Sequence, residues 1–137
     1  SGPIINIQED PGRPISKLLK QYQTPQKGEA DTTRQYTKKE QRLYERLRYA
    51  DYVGEQLNVK HLKQRIRYII VKQQRLKDLC PRCSWETIIT AIVYYVKCHY
   101  NTDCRPYHVG RYRICKENGL TLQIYSTVLT RLKLVKE

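Results

Sequence analysis

The chain has 137 residues, with Lys and Arg supplying 26 and Asp and Glu 13, for a formal net charge of +13 and an isoelectric point near 9.7. A hydrophobic content of 39% at this length allows a helical core without metal or disulfide support, and it excludes wholly disordered and fibrous classes. No apolar run approaches the roughly 20 residues of a membrane span, and the charge makes a polyanion the first partner to consider.

Residues 1–36 contain Pro3, Pro11, Pro14 and Pro25 and little apolar periodicity, with five basic and four acidic side chains. They read as an extended arm or linker. Ile4, Ile5, Ile7, Ile15 and Leu18 are its candidate partner-docking residues. The basic excess falls instead on the rest of the chain: twelve cations against five acids over residues 37–79, and nine against four over 80–137. A field carried by predicted helices, rather than by a tail, is therefore expected.

Residues 37–137 read as one all-α domain. Thr37-Lys38-Lys39-Glu40 has the spacing of a capping box and opens a first helix that carries Leu43, Leu47 and Ala50 inward and ends near Gly54. A second helix is expected from Val59 to Leu79, with Leu62, Ile66, Ile69, Ile70, Gln73 and Leu76 at helical spacing. Its opposite face carries Lys60, Lys63, Arg65, Arg67, Lys72, Arg75 and Lys77, and Pro81 stops it. Ser84 caps a third helix, Trp85 to Cys98, which is apolar nearly all round from Thr87 to Val96. Its β-branched content also fits a buried strand, but its length favours helix. Arg105-Pro106 opens a fourth helix that runs to Lys116 and ends at Asn118-Gly119. A fifth helix turns Tyr125, Val128, Leu129 and Leu132 inward.

This order, with two amphipathic helices, an apolar central helix, a short helix, a Gly turn and a last helix, resembles a single cyclin-box repeat of general transcription factor IIB and its relatives. The stretch from Glu86 to Tyr95 is similar to that family's central helix of small and aliphatic residues ending in an aromatic. Pro106 sits in the following loop, as in the family. The resemblance spans about residues 37–134 and implies a five-helix cyclin-like bundle with a C-terminal helix-turn-helix. The family carries two repeats behind a zinc ribbon, whereas these residues fit one repeat and no ribbon. One repeat cannot clamp a promoter complex in the family's manner, and the small size fits an accessory subunit that brings DNA affinity to a larger nuclear transcription or DNA-modifying complex.

Tyr107–Lys116, Asn118-Gly119 and Thr121–Leu134 also meet the description of a helix-turn-helix. The outer face of its last helix would show Gln123, Ser126, Thr127, Thr130, Arg131 and Lys133, residue types that contact base edges and phosphates. Lys60, Lys63, Arg67, Arg111 and Arg113 would neutralise further phosphates of double-stranded DNA, the expected partner. The plainer alternatives are an ordinary helical hairpin, or a protein–protein adaptor without DNA contact. RNA is less favoured, because Tyr44, Tyr68, Tyr94 and Tyr95 lie in helical patterns and not on a stacking sheet.

No metal, cofactor or catalytic site is expected. Cys80-Pro81-Arg82-Cys83 is half a zinc site, and a helix rising 1.5 Å per residue sets it about 20 Å from Cys98 and His99. Cys98 and His99 are neighbours that point about 100° apart on a helix, and no Gly-rich phosphate loop or carboxylate pair is present. The five cysteines read as free, partly buried thiols of a reducing compartment, the nucleus, or the cytoplasm of a prokaryotic or viral host. A Cys98–Cys104 bridge is geometrically conceivable.

Overall fold

Thr37 caps the first helix as its spacing requires: its hydroxyl accepts from Glu40 N at 3.1 Å, and its own amide donates to Glu40 Oε1 at 2.8 Å. In the computed structural model, which describes residues 36–73 and 75–132, this helix is α1, Lys38–Gln56. It is followed by a 3₁₀ turn at Lys60–Leu62, α2 at Lys63–Lys72, a 3₁₀ turn at Leu76–Asp78, α3 at Trp85–Tyr100, a 3₁₀ segment at Pro106–Arg111, α4 at Arg113–Glu117 and α5 at Leu122–Arg131. Among the described residues the fold is all-α, and the strand alternative for α3 does not hold. Ile4, Ile5, Ile7, Ile15 and Leu18 of the arm, and Lys133, lie outside the described residues.

α3 is the centre on which the other elements pack. From Thr87 to Val96 every side chain but Tyr95 is buried, and α1, α2, α4, α5, the Leu76–Asp78 turn and the Pro106–Arg111 segment all pack on it. α1 ends close to Gly54, two residues past it at Gln56. Gly54 is buried within the helix and faces α2 and Val59, where an added Cβ would meet Ile66 Cδ1 at 3.8 Å, an ordinary van der Waals contact. The reversal falls to Asn58, at φ 59°, a left-handed conformation that Asn tolerates.

The expected second helix is divided. Gln73 turns extended at φ −88°, ψ 92°, and the chain resumes as 3₁₀. A straight helix from Val59 to Leu79 would span about 31 Å, against about 24 Å for α3, and its last turn would overrun the core. The break folds Leu76 and Leu79 back into the core, where both are buried. β-branched Ile69, Ile70 and Val71 just before it weaken the helix at this point. The expected fourth helix also breaks, at extended Tyr112 (φ −104°, ψ 128°). There the Tyr112 ring meets the Tyr94 ring at 5.6 Å and the Lys97 ammonium at 5.3 Å.

The turn into α5 is a Schellman motif: Leu120 N donates to Cys115 O at 2.9 Å, Gly119 N to Lys116 O at 3.0 Å, and Gly119 takes φ +64°. Asn118 within it ties three elements together. Its Nδ2 lies 2.8 Å from Tyr49 Oη on α1, 2.9 Å from Thr90 Oγ1 on α3 and 3.2 Å from Ile114 O. The Tyr49 hydroxyl donates back to Asn118 Oδ1 at 3.0 Å, and the Thr87 hydroxyl donates to Asn118 O at 2.6 Å. Replacing Asn118 by Ala removes the amide that pairs with the Tyr49 and Thr90 hydroxyls, while Thr87 keeps the backbone carbonyl of residue 118; the expected loss is about 2 kcal/mol. Urea denaturation measures it; a loss under about 0.5 kcal/mol, the range of ordinary surface substitutions, would mean that the turn is held by its backbone motif alone.

Candidate nucleic-acid interface

α5 owes its outward face to its cap and its inward anchors. Thr121 Oγ1 accepts from Ile124 N at 3.2 Å, and Tyr125, Val128 and Leu132 are buried as expected, with Leu129 partly so. The opposite side then faces solvent. Leu122, Gln123, Ser126, Thr127, Thr130 and Arg131 line a shallow open depression of about 730 Å³ along it. The two threonine hydroxyls are already engaged on the helix itself, Thr127 donating to Gln123 O at 3.0 Å and Thr130 to Ser126 O at 2.8 Å. They therefore offer methyl groups and acceptor lone pairs, while the side chains of Gln123, Ser126 and Arg131 supply the donors.

The other expected cations divide by environment. Arg111 is exposed on the 3₁₀ segment that packs on α4 and α5, and Arg113 is exposed on α4, with its Nε 2.9 Å from Glu117 Oε2. Such an exposed pair is worth little and leaves Arg113 available. Lys60 lies 3.8 Å from Glu55 and Lys63 3.8 Å from Asp51, both at the α1–α2 edge. Arg67 is withdrawn from the phosphate-contacting set. It is 5% exposed, and its guanidinium grips Asp51 with two bonds, Nε to Oδ1 at 3.0 Å and Nη2 to Oδ2 at 2.5 Å. Arg65 is likewise buried and leaves the expected outer face of the second helix. The C-terminal set (Arg111, Arg113, Gln123, Thr127, Thr130, Arg131) is thus carried by neighbouring elements, and Lys60 and Lys63 by an edge whose main link to that set runs through α3.

Two features escaped sequence reasoning. Tyr107 is 68% exposed in the 3₁₀ segment, with its ring 4.5 Å from that of His108. His108 titrates below the ordinary histidine value, first through desolvation and then through the positive field of Arg111 and Arg105. Along α1, Arg46 lies over the Trp85 ring at 5.9 Å, Tyr49 meets Trp85 edge-on at 5.5 Å, and Tyr52 is 46% exposed beside Tyr49. The spacing of Arg46, Tyr49 and Tyr52 along one helix carried that signal. Its pairing with Trp85 needed the fold.

The cysteines are all free. Cys80 and Cys83 are both buried. Burial pushes Cys83 up to about 11, whereas for Cys80 the hydrogen bond with Cys83 and the Arg82 contacts outweigh burial and hold it below the usual thiol value. Among the described residues no three His, Cys, Asp or Glu side chains converge on one point.

No family model, no curated protein and no solved structure matches this chain.

Arg67→Ala removes the cation that Asp51 holds across α1 and α2. The Asp51 side chain is 27% exposed, so the expected loss of about 2 kcal/mol lies below the 3–5 kcal/mol of fully buried pairs, and guanidinium denaturation checks it. Arg111→Ala is expected to raise the His108 pKa toward its ordinary value, because one of the cations that disfavour imidazolium is gone. An NMR pH titration reads this directly; an unmoved His108 would place the Arg111 charge away from the imidazole.

Proposed function

We propose that this protein is a non-catalytic nucleic-acid-binding subunit, acting on double-stranded DNA within a larger transcription or DNA-modifying complex in the nucleus. The observation that carries this reading is the outward face of α5. A capped helix is held against the core by Tyr125 and Val128, and it leaves Gln123, Ser126 and Arg131 to solvent, while Arg111 and Arg113 are exposed on the 3₁₀ segment and on α4. Together they supply donors suited to base edges and cations suited to phosphates. The Schellman turn and the Asn118 contacts hold the helix at a set angle to α3, which favours a groove-entering role over a loose basic surface. The net charge of +13 supports the same partner class. The resemblance to one cyclin-box repeat belongs to this proposal, as does the role of accessory subunit.

The test is duplex binding followed by fluorescence anisotropy across a salt series. Affinity is expected to fall by at least tenfold between about 50 mM and about 200 mM salt as counterions are released. The double variant Arg111→Ala/Arg131→Ala is expected to lower the salt slope by about two, one for each lost phosphate contact. An affinity that barely moves with salt, or a variant that binds like the parent, overturns the DNA reading and favours the adaptor role.

A further inference from the structure

We propose that Cys98 and Cys104 are a disulfide-forming pair that closes when the protein meets a peroxide, stapling the end of α3 to the segment that carries Arg105 and Arg111. The two Sγ atoms lie 3.1 Å apart, Cys98 half-buried in the last turn of α3 and Cys104 buried in the loop beyond it. They are set in place by neighbours on separate elements. The Tyr94 hydroxyl donates to Arg105 O at 2.5 Å, which draws the loop onto α3, and Tyr112 Oη lies 3.9 Å from Cys104 Sγ. The short separation is therefore a product of the packing. It goes beyond the proposed nucleic-acid role and does not depend on it.

The chemistry balances with peroxide as the sole oxidant. The Cys98 thiolate attacks one peroxide oxygen, the O–O bond breaks, and the departing hydroxide takes a proton to leave as water, so that Cys98 becomes a sulfenic acid. Cys104 then loses its proton and displaces the sulfenic hydroxyl as a second water, forming the S–S bond. Two thiols are oxidised and one peroxide is reduced. Cys98 is the entry point because it is the more exposed sulfur. Burial and the hydrogen bond to Cys104 push its pKa up to about 12, so at neutral pH Cys98 rests as the thiol and reacts slowly. Once the sulfenic acid forms, Cys104 is the nearest nucleophile, and proximity directs the outcome.

Full-length protein treated with excess hydrogen peroxide, alkylated and digested with trypsin tests the proposal. Trypsin cuts after Lys97, and Pro106 shields Arg105, so both cysteines fall in the peptide from Cys98 to Arg111. The expected result is that peptide lighter by about 2 Da, the two lost hydrogens, with no alkyl group. Further cleavage before Asp103 should give two fragments that separate only after dithiothreitol, and the oxidised protein should melt several degrees higher than the reduced one. Cys98→Ser and Cys104→Ser each should lose the cross-link, while Cys115→Ser should keep it. A sulfinic acid at Cys98 without a cross-link, a bridge between Cys80 and Cys83 instead, or a bridge between two chains overturns the proposal. The wild-type peptide map alone decides should a serine variant fail to fold.

Discussion

A helix that is apolar on every side persists in water only where neighbouring elements cover all of it. α3 imposes that constraint here. Burying Ile88, Ile89, Ile92, Val93 and Val96, each about 2 kcal/mol of favourable transfer, requires α1 and α2, the Leu76–Asp78 turn and the C-terminal elements to surround it. The two predicted helices that break do so at places consistent with this demand. Gln73 and Tyr112 turn the chain where a straight continuation would carry Leu76, Leu79 or the Tyr112 ring past α3.

Covering α3 also requires its polar groups to be matched, since a buried unpaired donor costs about as much as a core methyl cluster contributes. The Lys97 ammonium is buried and donates to Leu57 O at 2.8 Å, beyond the end of α1. Thr87 and Thr90 meet Asn118, and the Tyr94 hydroxyl meets Arg105 O. The polar groups of α3 thus act as fasteners between elements that are distant in sequence. A composition with no Phe and 12 Tyr gains a physical sense in this setting. Tyr94 packs its ring on Tyr112 and Tyr125, at 5.6 and 5.3 Å, while its hydroxyl fixes the next loop; Tyr49 does the same between Trp85 and Asn118.

The same packing redistributes the charge. Arg65, Arg67 and Lys97 are buried, so fewer cations are open to direct contact than the residue count suggests, and the accessible C-terminal ones sit on α4, α5 and the 3₁₀ segment. The exposed Tyr107 and the depressed His108 titration both report on that corner.

Features encoded within about four residues are legible in the amino-acid order alone. The Thr37–Glu40 box, the Ser84 cap and the left-handed Gly119 belong to this class, because each joins a side chain or a φ preference to backbone close by. The burial of α3 and the inward set of α5 are legible from periodicity, and with them most of the outward α5 face. Contacts whose partners lie far apart along the chain, or across an irregular loop, emerge only in the folded molecule. Arg67 reads as one more cation on a basic helix until Asp51, sixteen residues earlier, takes it inward. A Cys98–Cys104 bridge is one conceivable pairing among five thiols until the loop folds back on α3 and brings the two sulfurs together. Helical periodicity specifies which direction a side chain points, but not whether a counter-charge or a second sulfur waits there; that depends on how the elements pack.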